Sequence, residues 1–490
     1  MMETGYTGQA RSRVDGPAKV RGQAAYAAEY SDETLAYGYV VSAAIAKGSI
    51  RSFDFSAAEK VPGLISIYSH KNRPEGSTWA RKYTDDDAPE VGKPFRPFLN
   101  NKIIYSGQPI ALVIAESFEA AREAALLIRV EYDVEKHETD LLNFVGRGTE
   151  PKKNRNPLPK NRGNAKKALA KAAFTVIADY SSPSEHHNPM EMHASSVLYD
   201  KKSDSLTIYD KTQGVLNSQT YVCEAFGLSK DKVRIVSPYV GGAFGSGLRP
   251  QYQLFLAVMA SLDLKRSIKI VLTRQQMFSF GHRPKTLHKV SLGADKDGCL
   301  VSVTHEALAE TSQYEEYTEN VVAWSGEMYQ CDNVSFDYKL AKLDVYTPLD
   351  MRAPGAALGM YAFESAIDEL AVESGIDPLA FRLKNYAEID QNKNLKYSSK
   401  ELRECYRQGA EAFGWDRRPL LPRSMKEGHE QIGWGMASGV WEAQQNKASA
   451  KATLMSDGRL EVSSATSDIG TGTYTIMTQI AAEALGLSLE

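Results

Sequence analysis

The chain has 490 residues, 42% of them hydrophobic, and a net charge of −3; that is enough material for two or three cores and lacks the basic excess of a dedicated nucleic-acid binder. No apolar run approaches the roughly 20 residues that cross a bilayer, and Met1-Met2-Glu3-Thr4 begins no charged-then-apolar signal, so a soluble globular protein that does not export itself is expected. Four scattered cysteines, Cys223, Cys299, Cys331 and Cys405, form no CxxC pair for zinc or an iron–sulfur cluster and are expected to be mostly buried thiols.

Arg13-Val14-Asp15-Gly16 opens an ordered region. Strands are predicted around Ala36 to Ala43, Leu64 to Tyr68, Pro109 to Ile114 and Arg129 to Tyr132, with a helix over Phe118 to Ile128. Residues 1–145 therefore read as a first, mixed α and β domain. Between Arg147 and Lys167 eight basic residues face a single acidic one, Glu150, among three prolines. The 146–168 stretch could bind an acidic surface; the preferred expectation is a solvated linker.

A second domain is expected over 169–415. Phe174 to Tyr180 and Leu206 to Tyr209 alternate as strands, and Ser218 to Phe226 reads as a helix stopped by Gly227. Strands are predicted near Ser267 to Thr273, Lys289 to Leu292 and Val301 to Leu308. Phe363, Ile367 and Leu370 mark one helix face, Asp377-Pro378 signals the next helix start, and Leu402 to Phe413 forms another closed by Gly414. Trp415 to Gln431 reads as a second linker. Beyond it, 432–490 starts a further domain with strands at Ala450 to Met455 and Arg459 to Thr466 and a helix carrying Ile476, Ile480 and Leu485.

Two glycine stretches carry the chemistry. Gly241-Gly242-Ala243-Phe244-Gly245 lies between a predicted strand, Asp231 to Val240, and a predicted helix, Gln251 to Leu262. Glycines let backbone approach a ligand, and N–H groups at the following helix start favour an anion; the plainer reading is a tight turn. It has neither the Rossmann nor the P-loop spacing. Asp468-Ile469-Gly470-Thr471-Gly472-Thr473 repeats the arrangement with threonine hydroxyls added. Two such turns suggest one large anionic ligand. Gln213, at a strand exit, could donate an amide hydrogen bond to a bound oxygen or serve as a turn residue. His186, His187, Glu191 and His193 have metal-binding side chains, but their spacing fits no standard zinc motif, and no side chain is assigned as a metal ligand.

Taken in order, Arg13-Val14-Asp15-Gly16, Asn188-Pro189-Met190-Glu191-Met192-His193, Thr212-Gln213, Gly241 to Gly245, Met351-Arg352-Ala353-Pro354-Gly355 and Asp468 to Thr473 closely resemble the molybdenum-binding large subunit of the xanthine dehydrogenase and aldehyde oxidase family. The three-subunit bacterial aldehyde oxidases are the nearest branch. The resemblance implies an α+β protein: an N-terminal α/β hammerhead domain, then an incomplete, two-part molybdopterin-binding region. It implies a molybdopterin dinucleotide with molybdenum, commonly the cytosine form in bacteria, and oxidation of aldehydes to carboxylic acids with oxygen from water. Partner subunits would carry [2Fe–2S] clusters and FAD, and location would be cytoplasmic, or periplasmic by co-export with a partner.

By motif, the resemblance implies that Gln213 hydrogen-bonds an oxygen on molybdenum, that the backbone of Gly242 to Gly245 lies against the metal centre with Phe244 beside it, and that Arg352 supplies a further contact. Gly470 to Thr473 would cradle the pterin or its pyrophosphate. The family's proton-accepting glutamate lies in a late motif beyond the last residue here, so none is assigned. The chain alone is expected to be inactive: either a separate C-terminal chain supplies the remainder, or the reading frame is cut short, leaving a non-catalytic remnant or assembly piece. Xanthine-oxidising relatives commonly place an aromatic after the arginine; Ala353-Pro354 follows here, which leaves aldehydes ahead of xanthine or other N-heterocycles.

Overall fold

The computed structural model of the protein describes residues 5–74, 87–153, 155 and 157–489; the expectations for Met1 to Thr4 and for Glu490 fall outside these. In chain order its principal strands are Ala36–Ser42 (β1), Gly48–Asp54 (β2), Leu64–Ser69 (β3), Lys102–Ile103 (β4), Pro109–Ala115 (β5), Arg129–Val134 (β6), Phe174–Ser182 (β7), Ala194–Asp200 (β8), Ser205–Asp210 (β9), Val233–Val236 (β10), Ile268–Val271 (β11), Thr286–Ala294 (β12), Leu300–Ser312 (β13) and Val334–Leu343 (β14). Among the described residues, β10-β9-β8-β11-β1-β5-β3 form a seven-stranded mixed sheet, β14-β13-β12-β7 a four-stranded one and β4-β2-β6 a three-stranded one.

The Pro109–Ala115 strand is buried along its whole length, as a continuous apolar run in a covered sheet should be. On one side it packs against the helix Phe118–Leu127, which Ser117 starts by accepting the Ala120 N–H. The helix Tyr252–Leu264 is buried from Tyr252 through Ser261; being apolar all round, it must sit inside a core. Leu254, Phe255 and Val258 share that core with Val197, Ile208 and Ile270 of the large sheet. A second core joins Phe363, Ile367 and Leu370 of the helix Ala356–Glu373 to Val290, Leu292 and Val303 of the four-stranded sheet.

The large sheet joins the first predicted domain to the second, because β1 pairs in parallel with β11, Ala36 opposite Ile268. The described residues of the 146–168 stretch are mostly exposed, but they are tied to the second sheet at two points and do not run free. Thr149 and Leu340 exchange backbone hydrogen bonds of 3.0 and 2.8 Å, as do Arg162 and Val334 at 3.0 and 2.9 Å. Arg162 also donates to Cys331 O at 3.0 Å and to Asn392 Oδ1 at 2.8 Å. An edge strand offers unpaired backbone groups, and this segment satisfies those of Val334 and Leu340 in β14 despite its charge. That strand itself was absent from the expectations, although Val334, Phe336, Tyr338 and Leu340 alternate inward.

Candidate functional site

The strand expected over Asp231 to Val240 ends at Val236, and the following helix starts only at Tyr252. Between them the chain folds into a loop with positive φ at Gly242 (90°), Phe244 (58°) and Gly245 (110°). Phe244 holds that angle without a glycine's freedom, a strained state maintained by its surroundings. The buried helix starts within one residue of its expected position, with this loop intervening. The loop's own N–H groups are sorted: Gly241 N donates to Glu191 Oε2 at 2.7 Å, while Gly245 N and Gly247 N both donate to Gln213 Oε1 at 3.1 Å. Among the described residues, the consecutive N–H groups of Gly242, Ala243 and Phe244 have no acceptor. Successive free amides of this kind form an anion-binding concavity.

Gln213 is locked to this loop by a third bond, its own N–H to Gly247 O at 2.8 Å. With two donors on its carboxamide oxygen, its amide nitrogen is fixed at the opposite end, where it has no acceptor among the described residues. The Arg352 segment closes against the same loop: Arg352 N donates to Phe244 O at 2.9 Å, and Arg352 O accepts Arg283 Nη2 at 3.0 Å. Ala353 takes φ 57°. The Arg352 side chain is exposed and its guanidinium makes no hydrogen bond or ion pair among the described residues. Thus Gln213, Gly241 to Gly245, and Arg352 meet at one place.

The second glycine turn differs from expectation. The buried Asp468 carboxylate accepts from Gly470 N at 2.8 Å, Gly472 N at 3.2 Å and Tyr474 N at 3.4 Å. An internal anion therefore takes amides that were expected to face a ligand. Burial opposes the Asp468 charge, but those three N–H groups outweigh it and hold the carboxyl below its ordinary range. Thr471 and Thr473 keep their hydroxyls outward, 3.0 Å apart. The first sequence motif packs here: an Arg13 guanidinium N–H donates to Gly470 O, and Val14 N donates to Thr475 Oγ1 at 3.1 Å. Tyr474 OH reaches Pro238 O at 2.7 Å, connecting this turn to the lead-in of the first.

Sequence reasoning missed the charges beneath the first loop. Lys211 is buried and donates to Ser246 Oγ at 2.9 Å. Burial lowers its ammonium to about 8, with Glu191 and Asp210 acting in the other direction. Asp210, also buried, accepts from Ser195 Oγ at 2.5 Å, and burial pushes its carboxyl up to about 7. The available signal was an Asp-Lys pair at the end of an alternating strand, immediately before Thr212-Gln213. The histidine cluster divides among separate contacts: His187 Nε2 lies 2.8 Å from Asp350 O, His186 packs on Phe278, Glu191 accepts from Gly241 N, and both ring nitrogens of His193 are buried without a partner among the described residues. No group of three or more His, Cys, Asp or Glu among the described residues could hold a metal ion, and no described helix is long and apolar enough to cross a membrane.

Comparison with known proteins finds three family models along the chain. Residues 21–136 fit the aldehyde oxidase and xanthine dehydrogenase a/b hammerhead domain, and residues 149–386 and 408–490 fit two molybdopterin cofactor-binding domains. The chain is 36% identical over 487 residues to the aldehyde oxidoreductase molybdenum-binding subunit PaoC of Escherichia coli O157:H7, covering 99% of this chain and 64% of that one. It is 26% identical to the putative xanthine dehydrogenase molybdenum-binding subunit XdhA of Escherichia coli K12, covering 97% and 65%. The chain thus spans just under two thirds of the length of these relatives. Its fold superposes on the aldehyde oxidoreductase of Desulfovibrio gigas with a TM-score of 0.80 at 23% identity, covering 99% of this chain and 55% of that one. The motif order, the hammerhead and the paired cofactor-binding domains together make this chain a member of the xanthine dehydrogenase and aldehyde oxidase family, on its molybdenum-binding side.

Proposed function

We propose that the protein binds a molybdopterin dinucleotide and forms the molybdenum-bearing part of a hydroxylase that oxidises aldehydes to carboxylic acids. The observation that carries this reading is Gln213: its carboxamide oxygen is consumed by Gly245 and Gly247, so among the described residues its amide nitrogen is left without an acceptor, bound to the same loop that carries three unengaged backbone N–H groups. Such a set suits an oxygen-rich, anionic group and needs no protein side chain as a metal ligand. The unpaired Arg352 guanidinium adds charge of the right sign. When bound, the cofactor supplies the two-electron chemistry at a carbonyl carbon with oxygen drawn from water.

The chain's own residues would bind and orient. Gln213 would donate to an oxygen on the metal centre, and the Gly242 to Phe244 amides would line the same pocket. Gly245 permits close approach of backbone, while the half-exposed Phe244 ring offers an apolar wall for the substrate. At the second turn Asp468 already holds Gly470 and Gly472, so the exposed Thr471 and Thr473 hydroxyls and Arg13 are the groups left for the pterin or its pyrophosphate. The domain boundaries follow the reading of 1–145, 169–415 and 432–490, with one sheet continuous across the first two.

Aldehydes are favoured over purines by Ala353-Pro354, which follows Arg352 without an aromatic ring for stacking. The cytosine nucleotide, an iron–sulfur partner, an FAD partner and export with a signal-bearing companion belong to the same proposal. Its test is purification of the chain with the products of its neighbouring genes, with assay of molybdenum, the released nucleotide and aldehyde oxidation. Stoichiometric molybdenum with turnover of aldehydes is expected; zinc in its place, or oxidation of xanthine alone, would overturn the reading.

A further inference from the structure

The loop that carries Arg352 is held at both ends by one buried pair of side chains. At its start, Asp350 Oδ1 lies 2.6 Å from the Tyr317 hydroxyl. At its end, Gly355 N donates to Glu319 Oε2 at 2.8 Å. The same Tyr317 hydroxyl lies 2.8 Å from Glu319 Oε1, and Tyr317, Glu319 and Asp350 are all buried.

A phenol has one hydrogen to give. Here its oxygen is within hydrogen-bond distance of two carboxyl oxygens. If both carboxyls were ionised, one of the two contacts would set lone pair against lone pair in a buried site, a repulsive arrangement. One carboxyl therefore brings its own proton. The surroundings decide which. Asp350 Oδ2 accepts a charged donor, Arg155 Nη1, at 3.0 Å, whereas among the described residues the second oxygen of Glu319 meets only the neutral Gly355 N–H. Arg283, whose charge also acts on Glu319, makes its hydrogen bonds to Glu185 at 2.7 Å and to Arg352 O, and donates none to Glu319 among the described residues. Burial, aided by the charge of Asp350, pushes the Glu319 carboxyl up to about 7 against the pull of Tyr317 and Arg283.

We propose that Glu319 is a neutral acid donating to Tyr317, that Tyr317 in turn donates to an ionised Asp350, and that this chain of three is a positioning unit for the Arg352 loop. It rests on the reading of that loop as a wall of the molybdenum site, but the location of the proton does not. Ala353 at φ 57° and the Arg352 N to Phe244 O bond both depend on where the ends of the loop are pinned.

The test uses the full chain, purified with its partner subunits, as wild type, Glu319→Gln, Glu319→Leu, Asp350→Asn and Tyr317→Phe. Infrared difference spectra of wild type minus variant report the carbonyl stretch of a protonated carboxylic acid. That band should be lost in Glu319→Gln and kept in Asp350→Asn; the opposite pattern overturns the assignment. Glutamine mimics the neutral acid, donating to Tyr317 and accepting from Gly355. Its kcat/KM should stay within about threefold of wild type while Glu319→Leu and Tyr317→Phe fall about tenfold or more. Equal losses for Glu319→Gln and Glu319→Leu would reject the positioning role. Wild type with the acid band but without molybdenum or aldehyde turnover would instead sink the functional reading and leave the proton where it is placed here.

Discussion

Gly245 and Asp350 pack backbone against backbone: a Cβ on Gly245 would overlap the carbonyl oxygen of Asp350, and the glycine also holds φ 110°. The glycine loop and the Arg352 loop can approach this closely only because residue 245 has no side chain. Gly245→Ala should therefore lower stability by about 2–3 kcal/mol, through overlap and backbone strain together. Gly435→Ala, which meets nothing within 4 Å, should stay within about 0.5 kcal/mol. Urea unfolding midpoints at matched slope measure both; equal midpoints would remove the close approach from the account.

Gln213 offers a sharper separation of structure from chemistry. In Gln213→Glu the carboxylate can still accept from Gly245 and Gly247, but its nitrogen donor is gone. Thermal midpoint should change little, whereas kcat for aldehyde oxidation should fall on the order of 10²-fold, the cost of one donor aimed at developing charge. Gln213→Ala should lose both turnover and loop stability. Unchanged kcat in the glutamate variant would reject the donor role.

Asp210 gives stability a definite pH slope. Its folded carboxyl titrates at about 7, above the ordinary value near 4. Between those pH values the folded state keeps a proton that the unfolded state has released, so this group's contribution is full at low pH and is lost as pH rises toward 7. Asp210→Asn removes the titration while retaining an acceptor for Ser195. Denaturation midpoints measured from pH 4 to 7 should fall less steeply in the variant than in wild type, and parallel curves would contradict the assignment.

Arg162 tests the reinterpretation of the basic stretch. Besides Cys331 O and Asn392 Oδ1, it donates to Gly326 O at 2.5 Å. Arg162→Ala leaves those acceptors short of a charged donor and should cost about 2 kcal/mol. Lys160→Ala, a neighbouring exposed lysine, should cost less than about 0.5 kcal/mol. Guanidinium unfolding distinguishes them; identical midpoints would restore the picture of a solvated tether.

Much of the local structure was legible from residues close together in the chain. Gly227 and Gly414 end their helices in the left-handed conformation, and Asp377 caps the next helix by accepting from Leu379 and Ala380, because caps and stops depend on a single turn of chain. Val334–Leu343 carried its period-two signal as plainly as the strands that were found. The order of the motifs along the chain is enough to point to its family.

What only the tertiary structure decided lies between residues far apart in sequence. The β1 to β11 pairing across the supposed domain boundary, the capture of Gln213 Oε1 by Gly245 and Gly247, and the filling of the second glycine turn by Asp468 each depend on which acceptor reaches a given N–H first. Sequence alone determined the local turns and the identity of the groups available for hydrogen bonding. Their partners were settled by the packing of two cores and the requirement that buried polar groups be satisfied, which is a property of the folded whole.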